Sequence, residues 1–99
     1  MITITQAAAE RIRQSAAETG VETPILRVAA RLASDGAVEF GMGFDQSRPG
    51  DATAEVEGVY VVVAPPSREL LEGVVLDFAE VEPGEHRFVF ARPGEDGGE

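Results

Sequence analysis

Residues 7–18 set Ala8, Ile12 and Ala16 on one face at helical spacing, with Ala9 beside them, and Glu, Arg, Gln and Ser elsewhere. That pattern predicts an amphipathic helix with a narrow apolar stripe. Thr5 stands where its hydroxyl caps the free N–H groups, and Gly20 where a left-handed residue ends the helix. A stripe made mostly of alanine lets such a helix lie close against a sheet. After Pro24 the period changes. Residues 25–30 read as a strand, and residues 38–44 as another in which Val38, Phe40, Met42 and Phe44 alternate with Glu39, Gly41 and Gly43. The simple reading puts Phe40, Met42 and Phe44 of this second strand in the core. If the strand is an edge, they become a surface for self-association or a partner. The two glycines predict a bulge or a close backbone contact on the other face.

Residues 46–51 form a turn-rich loop, 54–56 a short strand, and Glu57-Gly58 a turn. Residues 59–63 are the most apolar run, and their β-branching predicts a central strand. Residues 65–71 read as a short helix stopped at Gly73, with Ser67 as its N-cap or a first-turn residue. Strands follow at 74–79 and 87–91, separated by the Pro83-Gly84 turn. Together these elements predict one β-rich α+β domain over residues 1–92, followed by a disordered acidic tail, 93–99.

Composition narrows the functional classes. The 99 residues carry 18 acidic and eight basic side chains, a formal charge of −10, and no Lys/Arg cluster breaks that field. Phosphate backbones and anionic membranes are repelled by such a surface, so neither nucleic acid nor membrane is expected as a partner. The absence of cysteine excludes disulfides, thiolate metal ligands and cysteine nucleophiles within the chain. No basic-plus-apolar leader and no apolar run of roughly 20 residues is present, which leads to the expectation of a cytoplasmic protein.

The order of the punctuation resembles the A-type iron–sulfur carriers, the HesB-like family. The matching pieces are an Ile-Thr-Ile-Thr opening before an Ala-rich helix, Leu26-Arg27-Val28, Phe40-x-Met42-x-Phe44, Gly50-Asp51 and Gly58-Val59-x-Val61-x-Val63. Ser67, Leu71-x-Gly73, Leu76-Asp77-Phe78 and Phe88-x-Phe90-x-x-Pro93 complete the set. The resemblance implies a small, twisted β-sandwich or barrel with an N-terminal helix and a short second helix. It also implies carriage of iron or iron–sulfur clusters on three cysteines, one in a glycine-rich loop after the Leu-Arg-Val strand and two on the tail. Counted without gaps from Leu26, the loop position falls on Asp35, and the tail ends in Gly-Glu-Asp-Gly-Gly-Glu. Clusters are held by soft thiolates, which a carboxylate does not replace. The expectation is a cysteine-less relative that binds no cluster within one chain, has no cofactor, and acts through protein–protein contact. Its partner would be a component of iron–sulfur assembly or sulfur metabolism, or a second copy of the chain.

The remaining chemistry is sparse. Asp35, Glu39 and His86 are candidate ligands for iron or another divalent metal, a mixed carboxylate–imidazole site. Against this stand a turn Asp bonded to its own loop, a solvated strand face and an exposed lone His. Four serines are available for a hydrolase, but none lies in a nucleophile-elbow pattern, and no Lys-bearing phosphate loop is present, so no enzyme is expected.

Overall fold

The computed structural model describes residues 2–22 and 24–92; the tail, 93–99, for which disorder is expected, lies outside them. Thr5 opens helix α1 (Gln6–Thr19), its Oγ1 accepting the Ala8 N–H at 3.2 Å. Gly20, at φ 81°, closes it, and the N–H groups of Gly20 and Val21 turn back to the carbonyls of Ala17 and Ala16. Ala8, Ala9, Ile12 and Ala16 are the buried residues, as the spacing requires. The Thr5 hydroxyl also donates to Asp77 Oδ1 at 2.6 Å, which fixes the start of α1 to a strand far along the chain.

Two sheets form the body, each mixed in strand direction. The first has the order β1-β6-β7, from β1 (Thr3–Ile4), β6 (Val75–Glu82) and β7 (Glu85–Ala91). The second has the order β3-β2-β5-β4, from β2 (Ile25–Leu32), β3 (Val38–Phe44), β4 (Ala52–Val56) and β5 (Val59–Val63). As expected, β5 is interior, and Val59, Val61 and Val63 are buried. They pack with Leu26 and Val28 of β2, Leu76 of β6 and Ile12 of α1 in one core. Glu57 (φ 51°) and Gly58 (φ 81°) make the two-residue turn from β4 to β5, both left-handed as such hairpins require. The Arg13 guanidinium of α1 donates to the Glu57 carbonyl and so ties the helix to this turn. Phe40 of β3 stacks on Phe90 of β7, with centroids 4.8 Å apart and planes 6° from parallel, joining one sheet to the other.

One expectation needs correction, and two open alternatives are decided. The glycines of β3 mark no bulge: its register with β2 runs unbroken from Leu26↔Phe44 to Leu32↔Val38, and the space beside Gly41 and Gly43 is open. β3 is also an edge strand, so Val38, Phe40 and Met42 are half-buried at the border of the core, while Phe44 is exposed. Ser67 lies in the first turn of α2 (Pro65–Leu71), but the N-cap is Ala64 and the Ser67 hydroxyl serves a different strand. β2 pairs with β5 only over Ile25 to Arg27. Beyond that, Ser67 Oγ accepts the Ala30 N–H and donates to the Ala30 carbonyl, each at 3.1 Å. One hydroxyl thus substitutes for the missing strand at a buried ladder position.

Candidate functional site

The loop between β2 and β3 closes on itself. The Ala33 N–H bonds to the Ala37 carbonyl at 2.7 Å, and Gly36, at φ 88°, returns its N–H to Ala33 O. Asp35 Oδ1 accepts the Ala37 N–H at 3.0 Å, the hydrogen bond of an Asx turn. The carboxylate is therefore already engaged in shaping its own loop. Glu39, on the outer face of β3, accepts from Arg31 Nε at 2.7 Å. Both side chains are exposed, so the pair contributes about 0–1 kcal/mol. His86 belongs to the other sheet, opposite Glu80 on β6, with its ring stacked on Phe78 at 5.8 Å.

The three candidate ligands Asp35, Glu39 and His86 are thus divided between a loop, a strand of one sheet and a strand of the other. Among the described residues no group of three or more His, Asp or Glu side chains is placed to hold a metal ion. Each of the three side chains instead meets a local partner: the Ala37 N–H, Arg31 and Phe78.

The strongest electrostatic cluster lies where the sequence marked only a surface loop. Arg27, on β2 and 14% exposed in its side chain, donates Nε to Asp45 Oδ2 at 2.8 Å and Nη2 to Asp51 Oδ2 at 2.7 Å. A further bond runs from Nη2 to the Gln46 carbonyl at 2.8 Å. Asp51, only 3% exposed in its side chain, also accepts the Arg48 N–H at 2.7 Å. The Arg48 guanidinium reaches Asp45 at 3.1 Å. Arg27 and Asp51 carry the family resemblance, and they act here as the two halves of a bidentate clamp that folds residues 46–51 against the sheet. Nothing local in the sequence pairs Arg27 with acids 18 and 24 residues away.

The clamp holds both carboxyls below the usual range. For Asp51 the Arg27 hydrogen bonds lead and the Arg48 N–H adds to them. For Asp45 the Gln46 N–H leads, followed by Arg27. An unfolded Asp titrates near about 3.9. With folded values below that, the stability these groups contribute is complete above about pH 4 and is lost as pH falls through the depressed folded values. Acid titration followed by circular dichroism should therefore show unfolding in this range. Asp51→Asn should flatten that acid limb while lowering stability at neutral pH; an unchanged limb would remove the clamp from the acid response.

The chemistry available is that of scattered oxygen donors. No thiolate exists to hold cluster iron, so these residues do not fit an iron–sulfur cluster. Among the described residues no helix is long and apolar enough to cross a membrane.

No protein-family model matches the chain. A protein of Aquifex aeolicus is 36% identical over 76 residues, covering 76% of this chain and 66% of that one. The iron–sulfur cluster insertion protein ErpA of Vibrio vulnificus is 35% identical over 91 residues, covering 89% of this chain and 79% of its own. The crystal structure of IscA with a 2Fe-2S cluster matches at a TM-score of 0.76 and 24% identity, over 94% of this chain and 86% of that one. This last likeness is one of fold.

Proposed function

The chain belongs to the A-type iron–sulfur carrier family, and from that premise we propose that it is a member that keeps the carrier fold without holding a cluster, and that it acts through contact with other proteins of iron–sulfur assembly or sulfur metabolism. One observation carries this reading. The loop position at which the family resemblance calls for a cysteine is Asp35, and its carboxylate is committed to the Ala37 N–H of the same loop. The supporting structure is meanwhile kept: the Arg27–Asp51 clamp, the Ser67 bridge and the Thr5–Asp77 bond all fall on residues of the family pattern. A fold preserved in its structural positions and without thiolates suits a binding protein rather than a catalyst or a cluster carrier.

Anaerobic reconstitution with ferrous iron and sulfide tests the reading. The expected product is colourless, with neither iron nor acid-labile sulfide retained after desalting. A visible charge-transfer band with stoichiometric sulfide would overturn the proposal, and so would stoichiometric iron retained without sulfide.

A further inference from the structure

We infer that the open edge of β3 is a docking site for one extended, basic segment of a partner protein, which joins the four-stranded sheet as an antiparallel fifth strand and lays an aromatic side chain over Gly41. Such docking rests on the action by protein contact proposed above and gives the partner a chemistry. Amide exchange at β3 tests it apart from the cluster reconstitution, so the two can fail separately.

The backbone decides that the occupant is a strand. The Asp45 N–H bonds to Ile25 O, and the Ala33 N–H to Ala37 O, at the two ends of the unbroken β2–β3 register. Between those ends the odd-numbered residues of β3 exchange hydrogen bonds with β2. Val38, Phe40, Met42 and Phe44 turn theirs to the open edge. An extended segment meets these groups in turn, whereas a helix, whose own N–H and C=O groups are already paired, leaves them unmet. Edge strands are ordinarily protected by charge, Pro, a bulge or shortness. β1 and β4 are short, with two and five residues, and β7 opens on Glu85, His86 and Arg87. β3 has seven residues, an unbroken register and one charged side chain, Glu39, which Arg31 already meets.

The outer face decides which side chain is taken. Ala29 and Gly41 stand opposite each other there and floor a shallow trough of about 490 Å³, bounded by Arg31 and Glu39 at one end and by Pro66 and Ser67 of α2 along one side. The space beside Gly41 and Gly43 is open. An antiparallel fifth strand sets one residue directly opposite Gly41 in a non-hydrogen-bonded pair, with Cα atoms about 4.5 Å apart, where facing side chains come closest. A Trp or Tyr at that position lies across Gly41 toward Ala29 and covers the backbone that glycine leaves bare. On the inner face the small apolar residues of the segment cover Phe44, 38% exposed. The two glycines thereby gain a use that no bulge supplies.

Charge decides the sign of the partner. The chain carries −10, so an acidic segment is repelled before it reaches the edge and a basic one is drawn in. Around β3 itself the charges nearly cancel: Arg31 meets Glu39, Arg27 meets Asp45 and Asp51, and Arg48 meets Asp45. Asp35, near the Val38 end of the strand, accepts the Ala37 N–H and keeps its charge. A near-neutral edge lets an apolar strand settle, and the field around it favours Lys or Arg at the ends of that strand, one of them beside Asp35.

The probe is an N-acetylated, C-amidated peptide, Lys-Val-Tyr-Thr-Trp-Val-Arg-Thr-Lys, whose Trp falls opposite Gly41 and whose Arg falls opposite Glu39. Added to the full chain at about ten times its Kd, it should slow amide exchange, followed by NMR, about tenfold at Val38, Phe40, Met42 and Phe44. Glu39, Gly41 and Gly43, already bonded to β2, should keep their rates. Methylating the Val and Thr nitrogens of the peptide removes the donors that face β3 and should abolish the protection. Exchanging its three cations for Glu should weaken binding, by a margin that shrinks as salt is raised. Gly41→Val suits the folded chain, because the space beside Gly41 is open and its φ is not positive. It fills the trough and should weaken the Trp peptide about tenfold, the equivalent of about 1.4 kcal/mol, while a peptide with Thr in place of Trp binds both chains alike. Absence of protection at the even-numbered amides overturns the inference, as does equal binding of the methylated or the acidic peptide, or indifference of the Trp peptide to Gly41→Val. Even-numbered amides protected before any peptide is added overturn it too, because the edge is then already held.

Discussion

Replacing Ile12 by alanine should lower the free energy of unfolding by about 2–5 kcal/mol, the usual range for emptying a large aliphatic site in a core. The size follows from how α1 is attached. Its buried residues are Ala8, Ala9, Ile12 and Ala16, so Ile12, 1% exposed, is the one large side chain on that stripe. Against a total stability of about 5–15 kcal/mol for a domain of this kind, that loss is large. Urea denaturation should show a lower midpoint at unchanged slope, and Ile12→Val should cost only about 0.5–1.5 kcal/mol. A loss under about 1 kcal/mol for the alanine variant would mean that the polar ties, Thr5 to Asp77 and Arg13 to Glu57, hold the helix rather than its apolar face.

Ser67→Ala is expected to destabilise by about 1–3 kcal/mol, because it deletes both partners of one residue at once. The Ala30 N–H and carbonyl are buried at a point where β5 no longer runs beside β2, and the Ser67 hydroxyl meets both. A cavity argument alone predicts little here, since only one oxygen is removed. The distinguishing readout is local: amide exchange at Ala30 should accelerate beyond the change in global stability. If Ala30 stays protected in the variant, the hydroxyl is not what satisfies that strand.

Much of the architecture is readable from residue order because its signals are local. The alternation at 38–44, the β-branched run at 59–63 and the Glu57-Gly58 turn act over a few residues, and β3 and β5 have the expected bounds. The features that escaped are those whose partner is distant. β1 has two residues, too few for any periodicity, and exists because β6 lies beside it. Ser67 reads as a helix-end residue until β2 is placed against it. Arg27 meets its acids only after the chain has turned twice. The glycines of β3 suggest a bulge for a related reason: alternation reports which face a residue occupies, but not what lies beside it. The candidate site shows the same limit. Asp35 and Glu39 are close in sequence and His86 is not, and the fold keeps them so by giving each a neighbour of its own.

The parallel pairing of β1 with β6 has a consequence for the order in which the protein is made. Thr5 and Asp77 are 72 positions apart, and Ile2 and Ile4, both buried, belong to the same core as Val74 and Leu76. On the ribosome the early segment emerges with its apolar side chains exposed and stays so until most of the chain has been synthesised, at about 5–20 residues per second. The β2–β3 and β4–β5 hairpins need no such delay, because each closes on residues just made. The four-stranded sheet therefore draws every pairing partner from residues that precede β6, whereas β1 has no strand to pair with until β6 is present. For those seconds the two isoleucines are the part of the nascent chain that a holding chaperone would find.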